Sequence, residues 1–291
     1  MSHLIVYFLF LLLRLLHLIF GRGFAIWIGK LLGKLIKNLS KKRYNITVDN
    51  LKHAFPEKSD SEIFDIAEKS YENLGISFSE IVMMDMIPKD KFQNILKIEN
   101  MELIHKNNDK GNGLIMMSAH FGNWEFGAFT CGMYPDLPLN IVVKKQSNPY
   151  INKKLNEIRQ SANNIIFTSD NAAKEYIKLL SKKKAVAMIT DQSAPKDKSI
   201  YLEFFGRSAP TYDAPARLAL KYRSPIILGL VYRHEDYTYT LVLEEIKYDD
   251  LENNQENIII LSKRILKRLE DRIRERPDLW VWQHNRWKHA K

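Results

Sequence analysis

The sequence predicts an α/β fold: a central mixed, mostly parallel sheet flanked by helices, with an N-terminal helical segment that associates with a membrane. Two observations predict it. From residue 94 onward, short apolar runs of strand character alternate with stretches of helical periodicity, the pattern of a sheet covered on both faces. Ahead of them, residues 1–38 join a nearly unbroken apolar run to a basic amphipathic stretch. The expected organisation is an anchor of amphipathic helices over 1–38 and a single α/β domain over 39–291.

Residues 4–13 are uninterrupted apolar, and Leu15, Leu16, Leu18, Ile19 and Phe20 extend the run past Arg14. A helix of this length spans roughly 25 Å, short of the ~30 Å hydrocarbon core. Arg14 near its middle is costly in lipid unless it snorkels or pairs, so a shallow or tilted anchor is expected rather than a clean span. A secretory signal is disfavoured, because Met1-Ser2-His3 carries no Lys or Arg and no Ala-x-Ala follows Phe20. In the next stretch Phe24, Ile28, Leu31, Leu32 and Leu35 share one helical face, while Lys30, Lys34 and Lys37 are spaced to occupy the other. That pattern suits an anionic lipid surface. The alternative is a helix packed on the protein's own core with its lysines solvated.

Ser59-Asp-Ser-Glu62 has the form of a capping box and predicts a helix to about residue 74, interrupted at Gly75 and resuming to about 86. Strand-like runs follow at 95–98, 113–118, 139–144, 165–168, 185–190, 225–231 and 237–246. Helical patterns lie between most of them at 124–132, 149–162, 172–182 and 214–222, and a long helix of about 251–276 precedes a tryptophan-rich tail.

Composition narrows the function classes. The chain has 291 residues, 45% of them hydrophobic and 27% charged, enough for a sizeable core and too apolar for global disorder. Cys131 is the sole cysteine, so a disulfide framework and a cysteine zinc cluster are excluded. The net charge is +10, and eight of those surplus positive charges fall in residues 1–48, which contain no acid. The body is thus nearly neutral behind a basic, apolar front end.

In a sheet of this kind sites form at the carboxyl ends of strands. The residues there are Ser118-Ala-His120, Lys144-Lys145, Ser169-Asp170 and Asp191-Gln192. In the first, an apolar strand ends, His120 follows, then Gly122-Asn123, then Glu125 in the first turn of a helix. Five residues of continuous helix separate two side chains by about 140°, so His120 and Glu125 meet only if the backbone turns between them. Gly122 and Asn123 supply that turn and an N-cap. Glu125 then lies where the helix dipole favours a carboxylate, able to accept a hydrogen bond from one ring nitrogen of His120 and leave the other as a general base. Taken alone the pair is weak: eight histidines and 34 acids in 291 residues predict about one His-x4-acid match by chance, and the other reading is a histidine that merely bonds a helix N-terminus.

No Gly-x-Ser-x-Gly, His-Glu-x-x-His, Cys-x-x-Cys or Gly-x4-Gly-Lys-Ser/Thr occurs, so a serine nucleophile, a metal set and a nucleotide cradle all lack their residues. Cys131 reads as a small core hydrophobe. A base without a protein nucleophile suits direct activation of a substrate hydroxyl that attacks an already activated acyl group such as a thioester.

Ser118-Ala-His-Phe-Gly-Asn-Trp-Glu125 resembles the His-x4-acid signature of glycerolipid-type acyltransferases. It is joined by Asn148-Pro-Tyr with Arg159 downstream, Asp191-Gln192, Phe204-Phe-Gly-Arg207, Ala214-Pro-Ala-Arg-Leu-Ala219 and Trp282-x-His-x-Arg-Trp-Lys288. As a set, over almost the whole chain, these segments closely resemble the lipid A biosynthesis (Kdo-dependent lauroyl/myristoyl) acyltransferase family. The resemblance implies late acyl transfer to a hydroxyl of an acyl chain already on a lipid A precursor, with acyl carrier protein or coenzyme A as donor and no cofactor beyond that thioester. It implies His120 as base, Glu125 as its partner and Arg159 near the thioester carbonyl. Asp191 and Gln192 are expected to shape the pocket or simply to form a strand-end turn, and Asn123 and Lys144 to lie on the substrate path. In the tail, Arg286 and Lys288 meet phosphates, or Trp280, Trp282 and Trp287 dock the carboxyl terminus.

The expected setting is the inner membrane with the catalytic domain facing the cytoplasm, an anionic lipid acceptor and no nucleic acid partner. A basic protein is drawn both to that lipid and to an acidic carrier. Three alternatives stay open on the sequence. They are an acyltransferase of the same superfamily acting on another glycolipid, an aminolipid or a lysophospholipid; a thioesterase using the same pair on water; and a non-catalytic lipid- or nucleic-acid-binding protein.

Overall fold

The computed structural model describes residues 2–108, 111–134, 138–168, 172–195 and 199–288. The chain opens with α1 (Ser2–Leu39), which breaks at Gly21, where φ 75° and ψ −171° leave helical space. There follow α2 (Lys41–Ala54), α3 (Asp60–Ile81), α4 (Lys89–Ile95), β1 (Leu96–Glu99), α5 (Glu102–Asn108) and β2 (Leu114–Ser118). Next come α6 (Trp124–Met133), β3 (Asn140–Val143), α7 (Pro149–Gln160), β4 (Ile165–Thr168), α8 (Ala172–Ser181) and β5 (Ala185–Ile189). The remainder is β6 (Ile200–Phe204), β7 (Arg207–Thr211), α9 (Ala214–Tyr222), β8 (Ile226–Arg233), β9 (Tyr239–Ile246) and α10 (Gln255–Glu275).

The seven strand-like runs expected from the sequence form one sheet in the order β1-β9-β8-β2-β5-β3-β4, parallel throughout except for the β8–β9 pair. Alternation along β2 separates the two layers. Ile115 and Met117 join the core built with α9 and α10, whereas Leu114 and Met116 join the core built with α6. The antiparallel β6–β7 hairpin stands outside this sheet and was not expected. Its two strands of five residues meet at the single step Phe205-Gly206, too short a pattern to stand out locally as a pair.

Two sequence expectations for the front end change. Ser59 and Glu62 do form the complete capping box, but α3 runs straight through Gly75. The glycine is there for packing, not for a break. A Cβ on Gly75 would sit 2.2 Å from the Gly29 carbonyl oxygen, and one on Gly33 would sit 2.3 Å from that of Tyr71, so three glycines let α1 and α3 touch backbone to backbone. The lysines beside this contact are not simply solvated: Lys30 pairs with Glu72 and Lys37 with Glu68. Of the apolar row, Leu31 and Leu35 point outward together with Trp27, while Phe24, Ile28 and Leu32 are half-buried.

The earlier part of α1 has two unlike faces. Arg14 turns inward, donating to both carboxylate oxygens of Asp85 at 2.9 and 3.0 Å and to the Val82 carbonyl. His17 meets the Ser79 hydroxyl at 3.2 Å. Phe8, Leu9, Leu12, Leu15, Leu18 and Ile19 are each exposed by half or more on the other face. The cost of Arg14 in an apolar helix is thus met by pairing with the body of the protein.

Candidate active site

The site forms where β2 and β5 end. These strands pair in parallel with Ser118 opposite Ile189. Two residues further along each strand stand His120 and Asp191, so the register itself sets them side by side. Asp191 Oδ1 lies 2.8 Å from His120 Nδ1. Asp191 Oδ2 accepts from the His120 backbone N–H at 3.0 Å and from the Trp280 indole N–H at 2.8 Å. Burial alone would raise the Asp191 pKa, but the adjacent imidazole and these donors outweigh it and hold the carboxyl below its ordinary value. An ionised carboxylate only accepts, so His120 donates through Nδ1–H and Nε2 is the ring nitrogen left for chemistry. Burial pulls the imidazole pKa down; the charge and hydrogen bond of Asp191, with the charge of Glu125, more than reverse this and leave it above its ordinary value.

The loop between β2 and α6 is held from both sides. Gly122 has φ 58°, and a Cβ there would lie 1.7 Å from the Val231 carbonyl oxygen. Its N–H donates to the Leu279 carbonyl at 2.8 Å, and the Val281 N–H donates to the His120 carbonyl at 3.0 Å. The segment around Trp280 therefore straps the histidine loop and also holds its carboxylate.

Glu125 does not orient His120, which corrects the expectation for that pair. Its carboxylate takes the Arg159 guanidinium in a two-pronged ion pair, 2.6 Å to Nη2 and 3.0 Å to Nε. In the first turn of α6 the side chain faces α7, where a planar guanidinium matches a carboxylate better than a single ring N–H does. The turn at Gly122-Asn123 exists as expected, but it delivers His120 to the neighbouring strand end instead.

The other expected residues divide. Asn123 is fully buried. It caps α6 by accepting from the Phe126 N–H at 3.1 Å and donates to Glu80 at 2.9 Å, so both its polar atoms are engaged within the protein and it lies off the cavity wall. Lys144 lies exposed on the wall of the site cavity. Gln192 is half-buried and off that wall. Ser169-Asp170 falls outside the described residues. In the tail, Arg286 is buried and donates to the Pro210 carbonyl at 2.6 Å and Thr211 Oγ1 at 2.8 Å, so it docks the tail rather than meeting phosphate. His284 accepts from the Ser193 N–H at 3.1 Å, and burial pushes its pKa down to about 4, which keeps this second histidine neutral. Trp280, which sequence reasoning treated as a docking residue, proves to be an Asp191 donor.

His120, Trp124, Glu125, Lys144 and Arg159 rim a cavity of about 340 Å³ that runs between α6 and the sheet. Small residues open it within an otherwise packed layer: Gly127 and Ala128 on α6, Ala187 on β5 and Gly229 on β8. Cys131 lies deep in its wall, where burial pushes the thiol up to about 12, a lining group without nucleophilic character at neutral pH. Among the described residues, no group of three or more His, Cys, Asp or Glu side chains is placed to hold a metal ion.

A histidine–carboxylate pair, a held guanidinium and an apolar slot at strand ends form the outline of a transferase for acyl groups. The family of bacterial lipid A biosynthesis acyltransferases matches residues 1–289, and the chain belongs to that family. It is also similar to the lipid A biosynthesis lauroyltransferase of Escherichia coli (strain K12), with 24% identity over 259 residues that cover 88% of this chain and 83% of that one. The protein is therefore an acyltransferase.

Proposed function

We propose that the protein moves a fatty acyl group from an acyl carrier protein or coenzyme A thioester to a hydroxyl of a lipid A precursor, with His120 as general base. The observation that carries this is the 2.8 Å contact between His120 Nδ1 and Asp191, which commits one ring nitrogen and frees the other beside an apolar slot. In this reading Nε2 takes the proton of the acceptor hydroxyl as its oxygen attacks the thioester carbonyl. The C–S bond then breaks, and the departing sulfur takes that proton from Nε2, giving an ester and a free thiol. Asp191 holds the tautomer and offsets the charge on the imidazolium. Arg159, fixed by Glu125, supplies positive charge toward the oxyanion. The acyl chain lies in the slot, and Lys144 meets the anionic part of a substrate at its rim.

The setting is the cytoplasmic face of the inner membrane. The outward row of Phe8, Leu12, Leu15 and Leu18 supports an anchor lying in the interface, since the opposite face of the same helix is tied down through Arg14 and His17.

The test is a reconstituted assay with the full chain in phospholipid vesicles. Donors are carrier-protein and coenzyme A thioesters; acceptors are purified lipid A precursors and lysophosphatidic acid, read by mass spectrometry. One added acyl group on the lipid A precursor, lost in a folded His120→Ala variant, supports the reading. Acylation of lysophosphatidic acid alone, or a His120→Ala variant as active as the parent, overturns it.

A further inference from the structure

The reacting groups stand past the carboxyl ends of β2 and β5, and the slot closes at the amino ends of the neighbouring β3 and β4. Lys144 and Leu139 both line the cavity, on either side of β3, five residues and roughly 16 Å of extended chain apart. On α6, which runs back along the sheet, Trp124 stands at the mouth and Cys131 about 10 Å further in. Cys131, Leu139 and Asn164 meet at this inner end, all of them buried.

Asn164 is a polar side chain at the end of an apolar slot, and both its ends are used. Its Oδ1 accepts from the Leu139 N–H at 3.2 Å, and its Nδ2 donates to the Ala128 carbonyl at 2.8 Å. The amide thus ties the helix wall to the start of β3. Gly132 lets the two walls converge: a Cβ there would lie 2.1 Å from the Ala162 carbonyl oxygen and 2.7 Å from Asn164 Cγ. The Ile165 N–H donates to the Leu139 carbonyl at 2.9 Å and closes the gap between β3 and β4. The backbone and the clamped amide fix the position of this end, and the buried Cys131 and Leu139 side chains packed there set how far a ligand can reach.

We propose that the wall formed by Cys131, Leu139 and Asn164 sets the longest acyl chain the protein accepts. The inference rests on the reading of the slot as the acyl site. Each carbon that fails to fit leaves apolar surface in water or forces the thioester away from His120, so turnover falls steeply past one length.

The experiment measures kcat/KM for a donor series from eight to eighteen carbons in the parent, in Cys131→Phe and in Leu139→Ala. Circular dichroism checks the fold of each. The expected result is a cutoff in the parent. Cys131→Phe moves it to shorter chains, with about tenfold or greater loss on the longest accepted donor and a smaller loss on each shorter one. Leu139→Ala moves it to longer chains, and it decides the matter alone should the bulkier variant not fold. Active variants with the parental length profile overturn the proposal and assign the chain to the part of the cavity under Val231 and Leu241. A parent inactive with every donor fails the proposed reaction instead, a distinguishable result.

Discussion

His120 Nδ1 sits 2.8 Å from Oδ1 of Asp191, a residue 71 positions further along the chain. The pairing is made by two adjacent parallel strands and not by a local turn, and it is the geometry from which the expected pH behaviour follows.

Because the Asp191 charge and hydrogen bond outweigh burial and raise the His120 pKa, the imidazole loses its proton only above the ordinary histidine value. The acidic limb of kcat/KM is expected above about pH 6.5. Asp191→Asn removes the negative charge, so the limb moves to lower pH while the plateau rate drops by about 10²–10⁴. A pH–rate profile of the two proteins checks both, and a limb that stays in place separates Asp191 from the titrating base.

Glu125→Gln is expected to loosen Arg159 without moving the limb far, since Glu125 acts on His120 only through its charge and as the smallest of the causes. Arg159→Ala is expected to lower kcat by about 10²–10³, in the range of a lost oxyanion donor, with KM for the donor little changed. Steady-state kinetics with a fixed acyl donor separates these outcomes from a general loss of fold.

Gly122→Ala places a methyl group against the Val231 carbonyl in a left-handed backbone conformation. The expected loss of stability is about 3 kcal/mol or more, combining overpacking with backbone strain. Thermal unfolding of the variant measures it, with activity falling in parallel as the His120 loop shifts.

Phe8→Asp combined with Leu15→Asp changes only the exposed face of α1. Flotation with anionic vesicles is expected to show sharply reduced binding with an unchanged circular dichroism spectrum. Arg14→Ala acts on the other face, leaves Asp85 without its partner and is expected to cost about 3 kcal/mol of stability instead.

The architecture could be read from the chain because β2, β5 and β8 carry long apolar runs punctuated by helices, and their period is a local property. The β6–β7 hairpin escaped because its turn is a single Phe205-Gly206 step between short strands. Gly75 misled because a glycine that ends a helix and one that admits a second helix look alike until Gly29 and Gly33 are seen against it. Within the site, His120 and the bend after it were legible, whereas its partner was not. The spacing of His120 and Glu125 is visible along the chain; the adjacency of β2 and β5 is a matter of strand order. A usable signal did exist: Asp191, like His120, stands just past the end of an apolar strand-like run. The Trp280 contribution had no such signal, since it depends on the tail crossing back over the sheet.

That crossing has a temporal side. During synthesis the apolar α1 is made well before Trp280, which supplies one of the donors on Asp191. A nascent chain thus carries its apolar helix long before the surroundings of Asp191 are complete. A product cut short upstream of Leu279 keeps the exposed apolar row of α1 but lacks the strap on the His120 loop.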